Sequence, residues 1–310
     1  MKLKKLIEEY LNSHPFKRLK GSTQSQYERH LMRVNETKVG YKLLGNTRLQ
    51  DIKAGALNKA YEMWVEQYGI RSANYMKQSL SVAWKHALRH DMVMHDPVRV
   101  IKTIQTKPRR QLWTRDQVKA FLSTAYSQER WHGIGLLVHM AYEWGQRVGD
   151  MRKLTWDYVD LDQCRTDLTQ SKRNAEVHLP ISQNLCNMLR QQKEMFGFQD
   201  IVAPKYNIKR GLIRAYQEQE IAPAINEVLD EANLPRELNA QDLRRTAITE
   251  AVEAGVDLVG IMQFSGHQNP SSVKPYLVNT FTGASNALEA RWESKKQQSH
   301  ENYIKNKCIF

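Results

Sequence analysis

Apolar residues recur at spacings of three and four through the first hundred residues: Tyr27, Leu31 and Val34, then Leu57, Tyr61, Trp64 and Tyr68, then Met76, Leu80, Ala83, Trp84 and Ala87. A chain patterned this way buries those side chains together only on one face of successive α-helices, so residues 1–100 are expected to form a small helical bundle. Ser22-Thr23 supplies a helix start and Asp96-Pro97 a stop. Residues 101–113 read as an extended basic linker, marked by Lys107-Pro108-Arg109-Arg110. Thr114-Arg115-Asp116-Gln117 then has the pattern of a capping box before an apolar-periodic helix, opening a second domain over residues 114–294. Within it, Thr166 to Gln170 and Glu176 to Pro180 alternate in character on either side of a turn-like Ser171 to Ala175, the signature of a hairpin. The expected fold class is mainly α with a small antiparallel β-sheet near residues 157–180. Residues 295–310, with Lys295-Lys296, read as a solvated C-terminal tail.

At 310 residues there is chain enough for two domains, each with its own core. Forty-six Lys and Arg against 33 Asp and Glu give a net charge of +13, which favours a polyanionic partner through phosphate neutralisation and counterion release. A membrane partner explains the charge less well. The apolar run from Ile134 to Ala141 falls far short of the roughly 20 residues that span a bilayer, and Met1-Lys2-Leu3-Lys4-Lys5-Leu6 leads into Glu8-Glu9 rather than into a signal-peptide core. Cys164, Cys186 and Cys308 lie far apart with no CxxC spacing, so no disulfide framework and a reduced, cytoplasmic location are expected. His86 and His90 have the spacing of zinc ligands, but the glutamate of His-Glu-x-x-His is missing and Arg89 opposes a cation, so no metal site is read there. No P-loop, Gly-x-Gly-x-x-Gly or Gly-x-Ser-x-Gly pattern is present, which argues against nucleotide hydrolysis, dinucleotide binding and hydrolase-type serine chemistry.

Chemistry enters through an ordered series of basic side chains that closes on a tyrosine: Arg147, Lys172, Arg244, His267 and Tyr276. A phosphodiester repels an incoming oxyanion, so its cleavage needs fixed cations around the phosphate, and the planar guanidinium fork matches two phosphate oxygens. Taken singly, each residue is ordinary. Arg147 and Asp150 are three apart and form an unremarkable surface pair, Arg244-Arg245 a solvated helix face, His267 a turn residue and Tyr276 a half-buried aromatic. Joint order and spacing carry the signal: Gly-x-Arg-x-x-Asp, a hairpin lysine, then Arg244, then Gly-His with the tyrosine nine residues on.

The segments Trp144 to Asp162, Thr169 to Ser182, Asn239 to Gly255 and Phe264 to Thr280 together resemble the tyrosine recombinase (phage integrase) family. The resemblance covers about 270 residues, strongly in the second domain and generically in the first. It implies a helical core-binding domain and a mixed α+β catalytic domain that close on DNA from opposite faces. It makes Arg147 and Arg244 the phosphate clamp, His267 a further hydrogen bond to a non-bridging oxygen, Tyr276 the nucleophile and Lys172 the acid that protonates the leaving 5′ oxygen, with Asp150 in support. Arg173 competes with Lys172 for the last role, but its proton is held too tightly to be given up. Lys107, Arg109, Arg110, Arg173 and Arg245 are expected DNA contacts. The sequence departs from the family at Gln241, where histidine is usual at the head of His-x-x-Arg; glutamine donates a hydrogen bond but cannot carry a proton.

The implied activity is site-specific recombination through a 3′-phosphotyrosyl intermediate and a Holliday junction, in a phage or other mobile element. Bond energy is kept in the covalent intermediate, so the chemistry calls for no cofactor. Expected partners are duplex DNA with inverted-repeat core sites, three further copies in a tetramer on DNA, and DNA-bending accessory proteins. Ala284, Leu288 and Trp292, each four residues from the next, form a stripe that docks on a neighbouring protomer or packs on its own domain. About 20 residues precede the first expected helix, so the arm-site domain that many integrases carry is read as absent. Two other activities fit the same residues: strand relaxation of the type IB topoisomerase kind, or sequence-specific DNA binding by a recombinase descendant weakened at Gln241.

Overall fold

The structure, a computed structural model, describes residues 1–107, 109–172, 174–207, 211–276 and 281–307; the side chains of residues 207, 212, 282 and 297–307 are outside that description. It divides into two units, Met1–Pro108 and Arg109–Phe310, each with its own core.

The first unit is the expected helical bundle, with one helix more than the spacing analysis gave it. Helices α1 (Leu3–Asn12), α2 (His14–Lys17) and α3 (Gly21–Glu36) precede a two-stranded hairpin of β1 (Lys38–Val39) and β2 (Lys42–Leu43). The helical run α4 (Ala54–Arg89) is interrupted at Gly69. Leu3, Leu6, Ile7 and Tyr10 of α1 are buried at the same three-and-four spacing as the rest, in a segment among the roughly 20 residues that precede the first expected helix. They meet Leu31, Val34, Leu57, Trp64, Met76, Leu80 and Trp84. Both indoles keep a hydrogen bond, Trp64 to the Thr37 hydroxyl at 2.7 Å and Trp84 to the His95 carbonyl at 2.9 Å, so each ring is buried without stranding a donor.

The linker is shorter than residues 101–113. Ile101 is buried, the Ile104 N–H donates to the Tyr61 hydroxyl at 2.8 Å, and the Asn74 side chain donates to the Ile104 carbonyl at 2.9 Å. At its other end Trp113 is 2% exposed and donates from its backbone to Thr246 and from its indole to the Asn239 carbonyl. Apolar side chains at 101 and 113 thus recruit both ends into the two cores.

The second unit is helical around a small sheet. Helix α5 (Arg115–Tyr126) starts with the expected capping box, Thr114 and Gln117 satisfying each other's backbone N–H. Helix α6 (Glu129–Glu143) buries Trp131, Ile134, Leu136, Leu137, Val138, Met140 and Ala141 on all sides, because it packs against α5, the short α7 (Val148–Met151), α9 (Glu218–Glu231) and α10 (Ala240–Glu253). Strands β3 (Val159–Asp160), β4 (Arg165–Thr169) and β5 (Glu176–Pro180) form an antiparallel sheet in that order. Thr166, Leu168, Val177 and Leu179 turn inward while alternate residues face out. Helix α8 (Gln183–Phe196), a second hairpin of β6 (Lys205–Asn207) and β7 (Leu212–Arg214), α11 (Leu258–Ser265) and α12 (Phe281–Lys307) complete the unit. Helix α12 takes in the expected tail as far as Lys307. Leu288 and Trp292 stay 44% and 54% exposed, so their own domain does not cover that stripe.

Two of the three cysteines are not independent. Cys164, in the turn before β4, is disulfide-bonded to Cys186 on α8, their Cα atoms 6.0 Å apart, which corrects the reading of unlinked thiols. The fold brings together what 22 residues separate in sequence. Cys308 lies outside the described residues. Among the described residues no helix is long and apolar enough to cross a membrane.

Several imidazoles are buried without charge. Burial, then the charges of Arg29 and Arg33, hold His30 below its ordinary value of 6.5; burial does the same to His132 and His139 in the second unit. The unfolded chain takes up these protons at the ordinary value and the folded chain only below it, so stability is lost as pH falls from 6.5 toward the lowered values. The melting temperature is expected to drop between about pH 7.5 and about pH 5.5, and His30→Phe, which keeps a ring stacked on Tyr75, to shrink that drop. An unaltered drop in calorimetry of the variant would show that His30 does not carry it.

Candidate active site

Helix α6 ends in a turn at Gly145, whose φ of +59° suits glycine and whose close approach to the Phe264 ring leaves no room for a Cβ. That turn delivers Arg147 as the residue capping α7. Its guanidinium donates to the Gln170 side-chain oxygen at 3.1 Å and lies 3.7 Å from Asp150, with the side chain 28% exposed. It is anchored at one edge and open at the other.

Arg244, on the second turn of α10, is 3% exposed. One terminal nitrogen donates to the Gly145 carbonyl at 3.0 Å, the other to the Ser265 carbonyl at 2.7 Å and toward His267 Nε2 at 3.2 Å. Burial first, and then the charge of Arg147, pull its pKa down to about 10, with Tyr276 opposing the shift. Even so it stays charged near neutrality. A buried guanidinium beside a second, partly exposed one forms a site that favours an anion.

His267 follows Gly266, which closes α11 in the left-handed conformation at φ +67°. The Ser265 hydroxyl donates to the Ile261 carbonyl at 2.5 Å and so has only a lone pair for His267 Nδ1 at 2.7 Å. The ring is thus held between the Ser265 hydroxyl at Nδ1 and Arg244 at Nε2. Tyr276 ends a short 3-10 turn, Lys274–Tyr276, whose approach is pinned by Val273 packed on Ile248 and Ile261. Its carbonyl accepts from Thr249 of α10 at 3.1 Å. Its ring lies 5.1 Å from the His267 ring, and the Arg244 guanidinium carbon is 5.8 Å from its centre. Four of the expected residues, from three separate segments of one chain, thus form one cluster.

Lys172 occupies the turn between β4 and β5, where it is exposed. The turn is tied down at the residue before it: the Ser171 backbone N–H and hydroxyl both donate to Asp150, at 3.1 and 2.5 Å. Asp150 therefore links the Arg147 turn to the lysine hairpin. Gln241 lies one turn ahead of Arg244, exposed, its N–H capped by the Asn239 side chain at 3.0 Å. Lys107 and Arg110 are exposed, Arg245 is half-buried, and Arg173 lies outside the described residues.

Arg109 has an internal partner instead of the free position expected of it. Its guanidinium grips the Asp242 carboxylate through two nitrogens, at 2.7 to 3.0 Å, and donates to the Glu237 carbonyl. The ion pair forms because Asp242, on the buried face of α10 with a side chain 4% exposed, needs a cation there. Sequence reasoning also passed over Gln146 and Gln170, 0% and 1% exposed, which bridge Arg147 to the Ser265 carbonyl. Nothing in their spacing marks them, since a glutamine beside a turn ordinarily faces water. A cavity of about 830 Å3 lies over Asp157–Asp162 and α8 and touches none of the clustered residues. A partner with an extended charged backbone needs no such cavity, and the charge cluster is the better guide to the site.

Residues 111–282 match the sequence pattern of the Phage integrase family. The integrase of Escherichia phage HK022 is 24% identical over 166 residues, which are 51% of this chain and 45% of that protein. The integrase of Escherichia phage lambda is 23% identical over 167 residues, 52% of this chain and 46% of the relative. These matches span about half the length of the curated relatives. Among solved structures, a lambda integrase dimer bound to a COC′ core site superposes with a TM-score of 0.72 at 16% identity, covering 88% of this chain and 97% of that one. The Tn1549 transposon integrase with transposon right end DNA gives 0.74 at 15%, covering 94% and 99%. A lambda integrase tetramer bound to a Holliday junction gives 0.72 at 16%, covering 91% and 80%.

Removing Arg109 leaves the Asp242 carboxylate buried without its partner. Arg109→Ala is expected to lower the stability of the chain by about 1 to 3 kcal/mol, and the Arg109→Ala/Asp242→Asn double variant to recover part of it. Urea titrations check this; an Arg109→Ala variant as stable as the parent would make the pair energetically idle.

Proposed function

The chain belongs to the phage integrase family, and we propose that it is a site-specific DNA recombinase in which Tyr276 is the nucleophile, Arg147 and Arg244 clamp the scissile phosphate with His267, and Lys172 protonates the leaving oxygen. One observation carries the reading: Arg147, Arg244, His267 and Tyr276, spread over 130 residues, meet around the guanidinium of Arg244, which stays charged while withdrawn from water, with that of Arg147 beside it and partly open to solvent. An incoming phosphate supplies the anion that this cluster lacks.

In the first step the Tyr276 oxygen, giving its proton to solvent, bonds to phosphorus. The bond to the 5′ oxygen breaks, and that oxygen leaves as a hydroxyl with a proton from Lys172. The product is a 3′-phosphotyrosyl link. In the second step the 5′ hydroxyl of the partner strand returns a proton to Lys172 and attacks the phosphorus, and the tyrosine oxygen departs and regains a proton from solvent, so the number of phosphoester bonds is conserved. The arginines contribute charge to the pentavalent transition state rather than protons. Because Tyr276 packs against Arg244 and His267 of its own chain, the proposal places the attack in cis. Gln241, exposed on the same helix as Arg244, serves as a hydrogen-bond donor to the phosphate. Duplex DNA with inverted-repeat core sites is the proposed substrate. A tetramer passing through a Holliday junction is the proposed assembly, with the uncovered Leu288 and Trp292 of α12 docking on a neighbour and DNA-bending proteins assisting.

The test begins with supercoiled plasmids bearing the DNA that flanks the coding gene. Wild-type chain should yield a covalent protein–DNA adduct and recombinant or junction products; relaxed circles alone would indicate a topoisomerase, and binding without an adduct a non-catalytic DNA-binding protein. Tyr276→Phe should abolish the adduct with binding held within about 3-fold, since only the nucleophilic oxygen is lost. Adducts persisting in that variant would move the nucleophile elsewhere.

Charge stabilisation and proton donation are separable. Arg147→Ala and Arg244→Ala are each expected to slow cleavage by roughly 10²-fold or more. A 5′-bridging phosphorothiolate, whose sulfur leaves without a proton, should restore cleavage by Lys172→Ala but not by Arg244→Ala. Equal rescue of both variants in single-turnover assays would refute this division of roles.

A further inference from the structure

We propose that Gln170 is a positioning residue that sets Arg147, Arg244 and the Lys172 hairpin in one register, a role that rests on the recombinase reading above. Gln170 is 1% exposed and closes the base of the hairpin, its N–H donating to the Ala175 carbonyl at 2.8 Å and its carbonyl accepting from Asn174 at 2.9 Å. Its side-chain nitrogen donates to the Gln146 side-chain oxygen at 2.6 Å and to the Ser265 carbonyl at 2.8 Å, while its side-chain oxygen accepts from Arg147 at 3.1 Å. The Ser265 carbonyl is the one that also receives Arg244, at 2.7 Å. One side chain therefore touches the first arginine and shares an acceptor with the second, and its backbone stands two residues from the lysine.

Gln146 extends the link by donating to the Trp144 and Phe264 carbonyls, at 2.9 and 2.6 Å, which joins the turn after α6 to the end of α11. Gly266 makes the space, because a Cβ there would stand 2.5 Å from the Gln170 side-chain nitrogen and 2.8 Å from its Cδ. Few groups but a neutral amide satisfy these neighbours. It supplies two protons to two oxygen acceptors and one oxygen to a guanidinium, and it adds no negative charge between two arginines that have to keep theirs for a phosphate. A glutamate binds Arg147 more strongly but faces two oxygens without a proton and neutralises the clamp. A methionine fills the volume but makes none of these three hydrogen bonds.

The test uses the full chain and a duplex carrying the core site found in the plasmid assay, with either an all-oxygen or a 5′-bridging phosphorothiolate linkage at the scissile position. Gln170→Met is expected to bind that duplex within about 3-fold of the parent and to cleave the all-oxygen form on the order of 30-fold more slowly, with Gln170→Glu slower still. The sulfur substrate should restore only the part of the loss that passes through Lys172. In an Arg147→Ala background the methionine substitution should cost clearly less than about 30-fold, since the part of its effect that passes through Arg147 is already gone. Gln170→Asn keeps a buried amide one methylene short of Ser265 and should fall between the parent and Gln170→Met, which keeps the test available if the methionine variant melts early.

Parental cleavage by Gln170→Glu or Gln170→Asn would overturn the proposal. So would losses that multiply in full with Arg147→Ala, the behaviour of a residue that merely supports the fold. Absence of any adduct from the wild-type chain would instead defeat the recombinase reading, and this role with it.

Discussion

A guanidinium withdrawn from water is the constraint around which the second unit is arranged. Placing Arg244 at 3% exposure carries a desolvation cost of several kcal/mol, offset by fixed acceptors. Those acceptors are two backbone carbonyls, of Gly145 and Ser265, each at a turn where a glycine takes the left-handed conformation, Gly145 itself and Gly266. The end of α6 and the end of α11 are therefore aimed at the same cation. The turn that gives Arg244 a carbonyl also delivers Arg147, and the turn that gives it the other delivers His267.

Neutral polar groups do the connecting. The charges of Arg147 and Arg244 disfavour each other, which is one reason Arg244 holds its proton less tightly than usual. Carboxylates in the gap would relieve that repulsion and remove the reason for an anion to bind. The contacts between the two arginines instead run through the amides of Gln146 and Gln170 and the carbonyl of Ser265. The nearest acid, Asp150, spends one oxygen on Ser171 and stands 3.7 Å from Arg147. The site keeps its positive charge at the cost of strain between like charges, which is how electrostatic preorganisation is stored. A second carboxylate, Asp242, one turn from that charge on α10, is taken out of play by Arg109.

Much of this was legible before any coordinates. Period placed α3 and α4 and a capping box placed α5, and alternation placed β4 and β5 within one residue, because those signals are local; the stop read at Asp96-Pro97 instead opens a separate turn, α4 having ended at Arg89. Charge pointed to a polyanion. The series from Arg147 to Tyr276 stood out because its order and spacing are shared with the family, and the fold brings Arg147, Arg244, His267 and Tyr276 into one cluster. Helix α1 escaped because its charged face masked a four-residue apolar stripe, and the linker was drawn too long because Ile101 and Trp113 are recruited by cores that a linear pattern does not contain.

Sequence by itself determined the elements and the inventory of chemistry: which segments are helices, which turn carries a lysine, which arginines stand in the right order. Tertiary structure alone decided the partners. That Arg109 is bound to Asp242, that Cys164 meets Cys186, and that Gln170 lies beneath Gly266 between two arginines all depend on groups 22 to 133 residues apart. The physical reason is the range of the forces involved. Helix and hairpin preferences are settled within a few residues of chain, whereas hydrogen bonds and ion pairs gain their strength from burial, and burial exists only once the whole unit has packed.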